Sequence, residues 1–81
     1  MHGPESEAVA DTLNNIGIVY QRQSEYAKAV EAYERSMAIK TRVHGPESAA
    51  VADSLNNIGV VYERQSEYAK ALEAHERSMA I

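Results

Sequence analysis

The sequence repeats itself with a period of 42 residues. Residues 2–39 and 44–81 align without a gap, and 32 of the 38 aligned pairs are identical. The most distinctive stretch, LNNIGIVY at residues 13–20, returns as LNNIGVVY at residues 55–62. A segment that recurs with its turn residues intact is one supersecondary unit, and such units become stable by stacking their apolar faces. We therefore expect one domain over residues 1–81, with repeat one at 2–43 and repeat two at 44–81.

Each repeat carries two helical patterns. Apolar residues recur at i, i+4, i+7 and i+11, the spacing of a buried helical stripe. Ser6 and Ser48 are suitable N-caps, and Gly45-Pro46 is a helix stop. These signals predict an all-α fold, an α-solenoid of two stacked antiparallel helix hairpins, with helices at about 6–22, 25–42, 48–64 and 67–80. The predicted stripes are Val9, Leu13, Ile16 and Tyr20; Tyr26, Val30, Tyr33 and Met37; Val51, Leu55, Ile58 and Tyr62; and Tyr68, Leu72, His75 and Met79.

Composition and charge exclude several classes of protein. The net charge is -4, and acidic and basic residues are interspersed, which argues against nucleic-acid binding. No apolar run approaches the roughly 20 residues that span a bilayer, so no membrane partner is expected. The chain has no cysteine, which removes disulfides and thiolate metal sites. We expect a soluble cytoplasmic protein.

The histidines and carboxylates do not form a recognisable site. Zinc needs three or four converging ligands, whereas His2 and His44 are one repeat translation apart and His75 lies on a helix. The carboxylates occur at helix starts or in i, i+3 and i+4 pairs, without a phosphate loop or a nucleophile beside a base. We expect no metal, no other cofactor and no catalytic activity.

The repeated residues resemble the tetratricopeptide repeat, and in particular its 42-residue variants such as those of kinesin light chains. The resemblance covers the whole chain and implies a segment of a right-handed helical superhelix. The residues that carry it are Leu13, Ile16, Gly17, Tyr20, Ala29 and Tyr33, and then Leu55, Ile58, Gly59, Tyr62 and Ala71.

Three positions depart from the family pattern. The tryptophan-like position holds Leu13 and Leu55, and the late alanine is Ser36 and Ser78. The glycine usual between the two helices of a repeat is Ser24 in repeat one and Ser66 in repeat two. Serine adopts positive φ reluctantly, so we expect that this turn can straighten at modest cost.

The resemblance implies that the first helix of each repeat lines a concave groove for an extended peptide or a partner helix. The resemblance further implies that an asparagine on this helix hydrogen-bonds the backbone of the ligand, and these positions are Asn15 in repeat one and Asn57 in repeat two. An alternative interpretation is that the asparagines only hydrogen-bond neighbouring helices or water. The predicted groove residues are Asp11, Asn14, Asn15, Ile18 and Arg22, with Asp53, Asn56, Asn57, Val60 and Arg64.

The sequence is compatible with two functions. The first is a non-catalytic interaction scaffold, a fragment of a longer array that binds proteins or peptides. The second is a self-assembling module, because solenoids usually need three or more repeats and this sequence ends on apolar residues. Met79 and Ile81 are its predicted contact residues. Open fibres and a closed homodimer are both possible; we expect the dimer, with helix exchange through residues 21–25 as one route to it.

Overall fold

The computed structural model describes residues 6–81, which contain four α-helices. They are α1 (Glu7–Arg22), α2 (Tyr26–His44), α3 (Ala49–Arg64) and α4 (Tyr68–Met79). Each helix begins and ends within two residues of the range that the sequence predicts. The predicted all-α fold is confirmed. His2, which the sequence analysis considered as a metal ligand, lies outside the described part of the chain.

Serine side chains cap the first helix of each repeat. The Val9 N–H donates to Ser6 Oγ over 3.3 Å, and the Val51 N–H donates to Ser48 Oγ over 3.2 Å. Each bond satisfies one of the N–H groups that a helix start leaves without a partner. The serines therefore fix where α1 and α3 begin.

The turn within each repeat is bent in the way a glycine would allow. Ser24 and Ser66 both have φ of 60°, the left-handed region that L-residues seldom occupy. In the first turn the Glu25 N–H donates to the Tyr20 carbonyl over 2.8 Å, which fixes the reversal of the chain. The serines thus adopt the conformation that a glycine at this position would favour, and α1 and α2 form a hairpin.

The helices stack in chain order. α1 packs on α2, α2 on α3 and α3 on α4, in a slab of 40 × 29 × 12 Å. Tyr33 of α2 is 1% exposed and belongs to the same buried cluster as Ile58 and Val61 of α3. The main core therefore lies where the second helix of repeat one meets repeat two.

The prediction of four buried stripes is wrong at both ends of the stack. Ile16 of α1 is 40% exposed, and Tyr68, Leu72 and Met79 of α4 are 63%, 63% and 82% exposed. The inner helices α2 and α3 have a neighbour on two sides, whereas α1 and α4 have one on a single side. Residues that the repeat pattern marks as buried consequently remain open at the terminal helices.

Candidate functional site: the groove between α1 and α3

A cavity of about 480 Å³ lies between the first helices of the two repeats. Its volume falls within the usual range of about 300–1,000 Å³ for small binding sites. We call it the A-helix groove. It is lined by Ile18, Gln21, Arg22, Ser24, Tyr26, Tyr33, Asn57, Val60 and Arg64.

Repeat-related side chains meet in this groove. Ile18 of α1 and Val60 of α3 occupy equivalent positions, as do Arg22 and Arg64. Because the helices are related by the repeat, a ligand that crosses the groove meets the same kind of side chain twice. Together with Asn57, these are the predicted groove residues that the structure brings into one cavity.

The two arginines give the groove a positive edge in an acidic chain. Arg22 and Arg64 lie in the last turns of their helices, and both are exposed. Within residues 6–81 neither forms an ion pair, and no Asp or Glu of this region lines the groove. Their guanidinium groups are therefore available to a negatively charged ligand.

Tyr33 forms an uncharged, buried part of the lining. Its hydroxyl donates to Gln21 Oε1 over 3.1 Å. Burial raises the pKa of Tyr33, because the tyrosinate would lose its hydration. Because Tyr33 is 1% exposed, its ring supports the groove from below and presents almost no surface to a ligand.

The asparagines differ in position although their sequence context repeats. Asn57 Nδ2 donates to Asn14 Oδ1 over 3.2 Å and so links α3 to α1. Asn56 Oδ1 lies 2.9 Å from His75 Nδ1. Asn15, in contrast, lines a separate cavity on the open side of α1, with Ile16 and Val19. Asn14, Asn56 and Asn57 therefore hydrogen-bond within the scaffold.

The remaining predicted residues lie apart from the groove lining. Asp11 and Asp53 are exposed on α1 and α3 and do not line the cavity. Met79 is 82% exposed on α4, and Ile81 is 39% exposed and lines another cavity with Val51 and Leu55. Both predicted self-association residues therefore have surface exposed to solvent, Met79 much more than Ile81.

The four stacked helices match a known family of helical repeats. A family model described as the tetratricopeptide repeat matches residues 2–81, nearly the entire chain. The chain belongs to the tetratricopeptide repeat family. The predicted resemblance is confirmed, and membership identifies the chain as a protein-interaction scaffold of a family that is typically non-catalytic and binds proteins or peptides. No curated protein matches the sequence.

Sequence reasoning missed four residues of the groove in this tetratricopeptide repeat. Gln21 and Ser24 lie at the turn after α1, and Tyr26 and Tyr33 lie on α2. The helical spacing of the tyrosines predicts core residues, and Tyr33 is buried in the core with Tyr26 packed against it. The spacing does not show that both also border the groove. The sequence signal for that is the short turn, which folds the start of α2 back beside the end of α1.

In this tetratricopeptide repeat protein, the two histidines of residues 6–81 each lie beside a glutamate. His44 Nε2 lies 3.0 Å from Glu7 Oε1, and His75 Nε2 lies 3.1 Å from Glu63 Oε1. Over residues 6–81, no group of three or more His, Asp or Glu side chains is arranged to hold a metal ion. In the same part of the chain, every helix is too short or too polar to cross a membrane.

Proposed function

We propose that the A-helix groove binds an extended acidic peptide segment of a partner protein. The observation that carries this proposal is the pair Arg22 and Arg64, which border the cavity without an ion pair to any residue in 6–81. A guanidinium binds a carboxylate through two parallel hydrogen bonds, which adds geometric specificity to the charge attraction. The favoured ligand therefore carries carboxylates spaced to meet both arginines.

The other residues that line the groove can contact the apolar side chains and the main chain of such a peptide. Ile18, Val60 and Tyr26 supply apolar contact area for one side chain of the ligand. Asn57 uses one amide N–H on Asn14, and its carbonyl oxygen and second N–H remain able to bind a peptide unit. Contacts to the main chain of the ligand tolerate sequence changes, while the arginines select for charge.

A peptide array with matched acidic and amide sequences tests this proposal. Each peptide that contains Asp or Glu is paired with its Asn or Gln counterpart, and binding is measured by fluorescence anisotropy. We expect preference for the acidic members and loss of about tenfold or more in affinity for Arg22→Gln or Arg64→Gln, since one charge-assisted hydrogen bond contributes roughly 1.5–3 kcal/mol. Equal binding of acidic and amide peptides would contradict the proposal.

Two matched controls locate the binding site. Arg35→Gln removes an exposed arginine that lines a different cavity, and it should leave peptide affinity unchanged. Asn15→Ala and Asn57→Ala change the same residue type in equivalent positions, but only Asn57 lines the groove. A loss of affinity in Asn57→Ala and not in Asn15→Ala places the peptide in the groove; the reverse result would move it to the open side of α1.

A second candidate function is self-association, including the homodimer predicted from the sequence. The observation that favours it is the apolar surface of the terminal helices, where Tyr68, Leu72 and Met79 are all more than half exposed. Sedimentation over a hundredfold range of concentration tests it. We expect the mass to rise above the 8.9 kDa of one chain; a constant 8.9 kDa at high concentration would contradict it.

A further inference from the structure

We infer that the chain associates head to tail, with α4 of one copy packed on α1 of the next in the way that α2 packs on α3 within one copy. This inference rests on the second candidate function, self-association. It goes further because it names the two surfaces, their pairing and the resulting open assembly. The template is the interface between α2 and α3.

The outer surface of α1 matches the surface by which α3 receives α2. We call Ile16 and Val19 the α1 face. Their equivalents, Ile58 and Val61, are 4% and 0% exposed in the cluster against which α2 packs, whereas Ile16 and Val19 are 40% and 53% exposed. The same side chains are therefore covered when a second helix precedes them and open when none does.

The outer surface of α4 matches the surface that α2 presents to α3. We call Tyr68, Leu72 and Met79 the α4 face, each more than 60% exposed. The equivalent residues of α2 pack against the cluster that contains Ile58 and Val61. These equivalents are Tyr26, Val30 and Met37, so two of the three side chains are identical and the third, valine to leucine, stays apolar.

A hydrogen bond between two asparagines would also be repeated in this head-to-tail packing. Within the chain, Asn57 Nδ2 donates to Asn14 Oδ1 across the repeat boundary. Asn15 is the equivalent of Asn57, and Asn56 is the equivalent of Asn14. In the head-to-tail assembly, Asn15 of the next copy therefore donates to Asn56 of the first copy. Asn15 is exposed, and the Asn56 carbonyl oxygen, which faces His75 Nδ1 at 2.9 Å, has a second lone pair to accept the bond.

The template determines the symmetry of the assembly. The α2–α3 interface joins two different surfaces, so its copy between chains is heterologous: each added chain leaves one α1 face and one α4 face open. The stack therefore grows with concentration, in contrast to the closed dimer expected from the sequence. His75, which replaces the buried Tyr33 of repeat one, makes this contact weaker than its internal template because less aromatic surface is buried.

Two variants that each block one face test this pairing. Val19→Glu places a charge on the α1 face and Leu72→Glu places one on the α4 face; both positions are exposed, so the fold of the single chain should tolerate them. Each variant alone should sediment at 8.9 kDa. A 1:1 mixture should form a heterodimer of twice that mass, because one variant retains its α4 face and the other its α1 face.

Other outcomes identify other assemblies. A dimer of Val19→Glu alone would show α4 pairing with α4, a dimer of Leu72→Glu alone would show α1 pairing with α1, and dimers of both alone would indicate helix exchange; each overturns the head-to-tail arrangement. An unsubstituted chain that stays at 8.9 kDa overturns self-association itself.

The matched control is Gln65→Glu, which adds the same charge to the exposed turn before α4 and should associate like the unsubstituted chain. Circular dichroism verifies helicity. If Val19→Glu or Leu72→Glu loses helix content, the experiment is repeated with Ile16→Lys and Met79→Lys, which block the same two faces.

Discussion

Gly17 of α1 lies directly against the ring of Tyr33 of α2. A Cβ atom added at Gly17 would come within 2.7 Å of Tyr33 Cε1. The second repeat reproduces the arrangement, since a Cβ at Gly59 would lie 2.7 Å from His75 Cε1. Glycine in a helix interior costs about 1 kcal/mol relative to alanine, and this close approach of the two helices is its reason.

Replacement of Gly17 by alanine should therefore destabilise the protein despite the better helix propensity of alanine. The Tyr33 ring is 1% exposed and must move within a packed core, which we expect to lower the free energy of unfolding by about 1–2 kcal/mol. Gly59→Ala is the matched variant. Its cost should be smaller, because His75 is partly exposed and can rotate outward. Urea unfolding measures both, and a larger loss for Gly59→Ala would contradict this explanation.

The period of the sequence predicts the helices well because each repeat encodes its caps, stripes and turns locally. It does not predict which stripe residues are covered, because Ile16 and Ile58 have the same local sequence and differ only in their neighbours. For the same reason it does not separate Asn15 from Asn57. The groove residues from α2, such as Tyr33, require the angle of the hairpin, which depends on a positive φ at Ser24.

The two turn serines offer a stabilising substitution. Ser24 and Ser66 are exposed, and at φ of 60° each bears the left-handed conformational penalty that glycine avoids. We expect Ser24→Gly to raise the free energy of unfolding by about 0.5–1 kcal/mol, since the greater unfolded-state entropy of glycine offsets part of the gain. The sites are one repeat apart, so Ser24→Gly and Ser66→Gly should be nearly additive. Thermal unfolding measures this; Ser24→Ala, which keeps the penalty, should bring no comparable gain.

Ser36 should stabilise the first hairpin through a buried hydrogen bond. Its hydroxyl is 0% exposed and donates to the Ala10 carbonyl over 2.7 Å, which joins α2 to α1. Ser36→Ala should lower the free energy of unfolding by about 1 kcal/mol, the usual net contribution of such a bond.

The second repeat offers a matched comparison, because Ser78 donates to the Ala52 carbonyl over 2.8 Å at a more exposed position. Ser78→Ala should therefore cost less than Ser36→Ala in the same chemical denaturation. Equal stability of the unsubstituted chain and Ser36→Ala would show that this bond contributes nothing.

The buried Tyr33 should make the protein sensitive to alkaline pH. Burial raises its pKa above the ordinary value near 10, so the folded state holds the phenolic proton more tightly than the unfolded state. Below about pH 10 both states are protonated and Tyr33 adds no pH dependence. Above it the unfolded state releases the proton first, and the free energy of unfolding should fall until the pH passes the folded-state pKa.

A comparison of variants separates the effect of Tyr33 on the alkaline fall in stability from the effect of two lysines. Contacts with Glu25 and Glu67 raise the pKa of Lys28 and Lys70, and these exposed pairs are also lost as the pH rises through the lysine pKa values. Tyr33→Phe leaves both pairs intact. It should lower stability at neutral pH through loss of the hydrogen bond to Gln21, yet show a shallower decline above about pH 10.

Tyr68→Phe, which changes an exposed tyrosine, retains Tyr33 and should keep the full decline. Urea unfolding at a series of alkaline pH values measures all three chains. If Tyr33→Phe declines as steeply as the unsubstituted protein, the alkaline sensitivity does not come from the tyrosine in the groove.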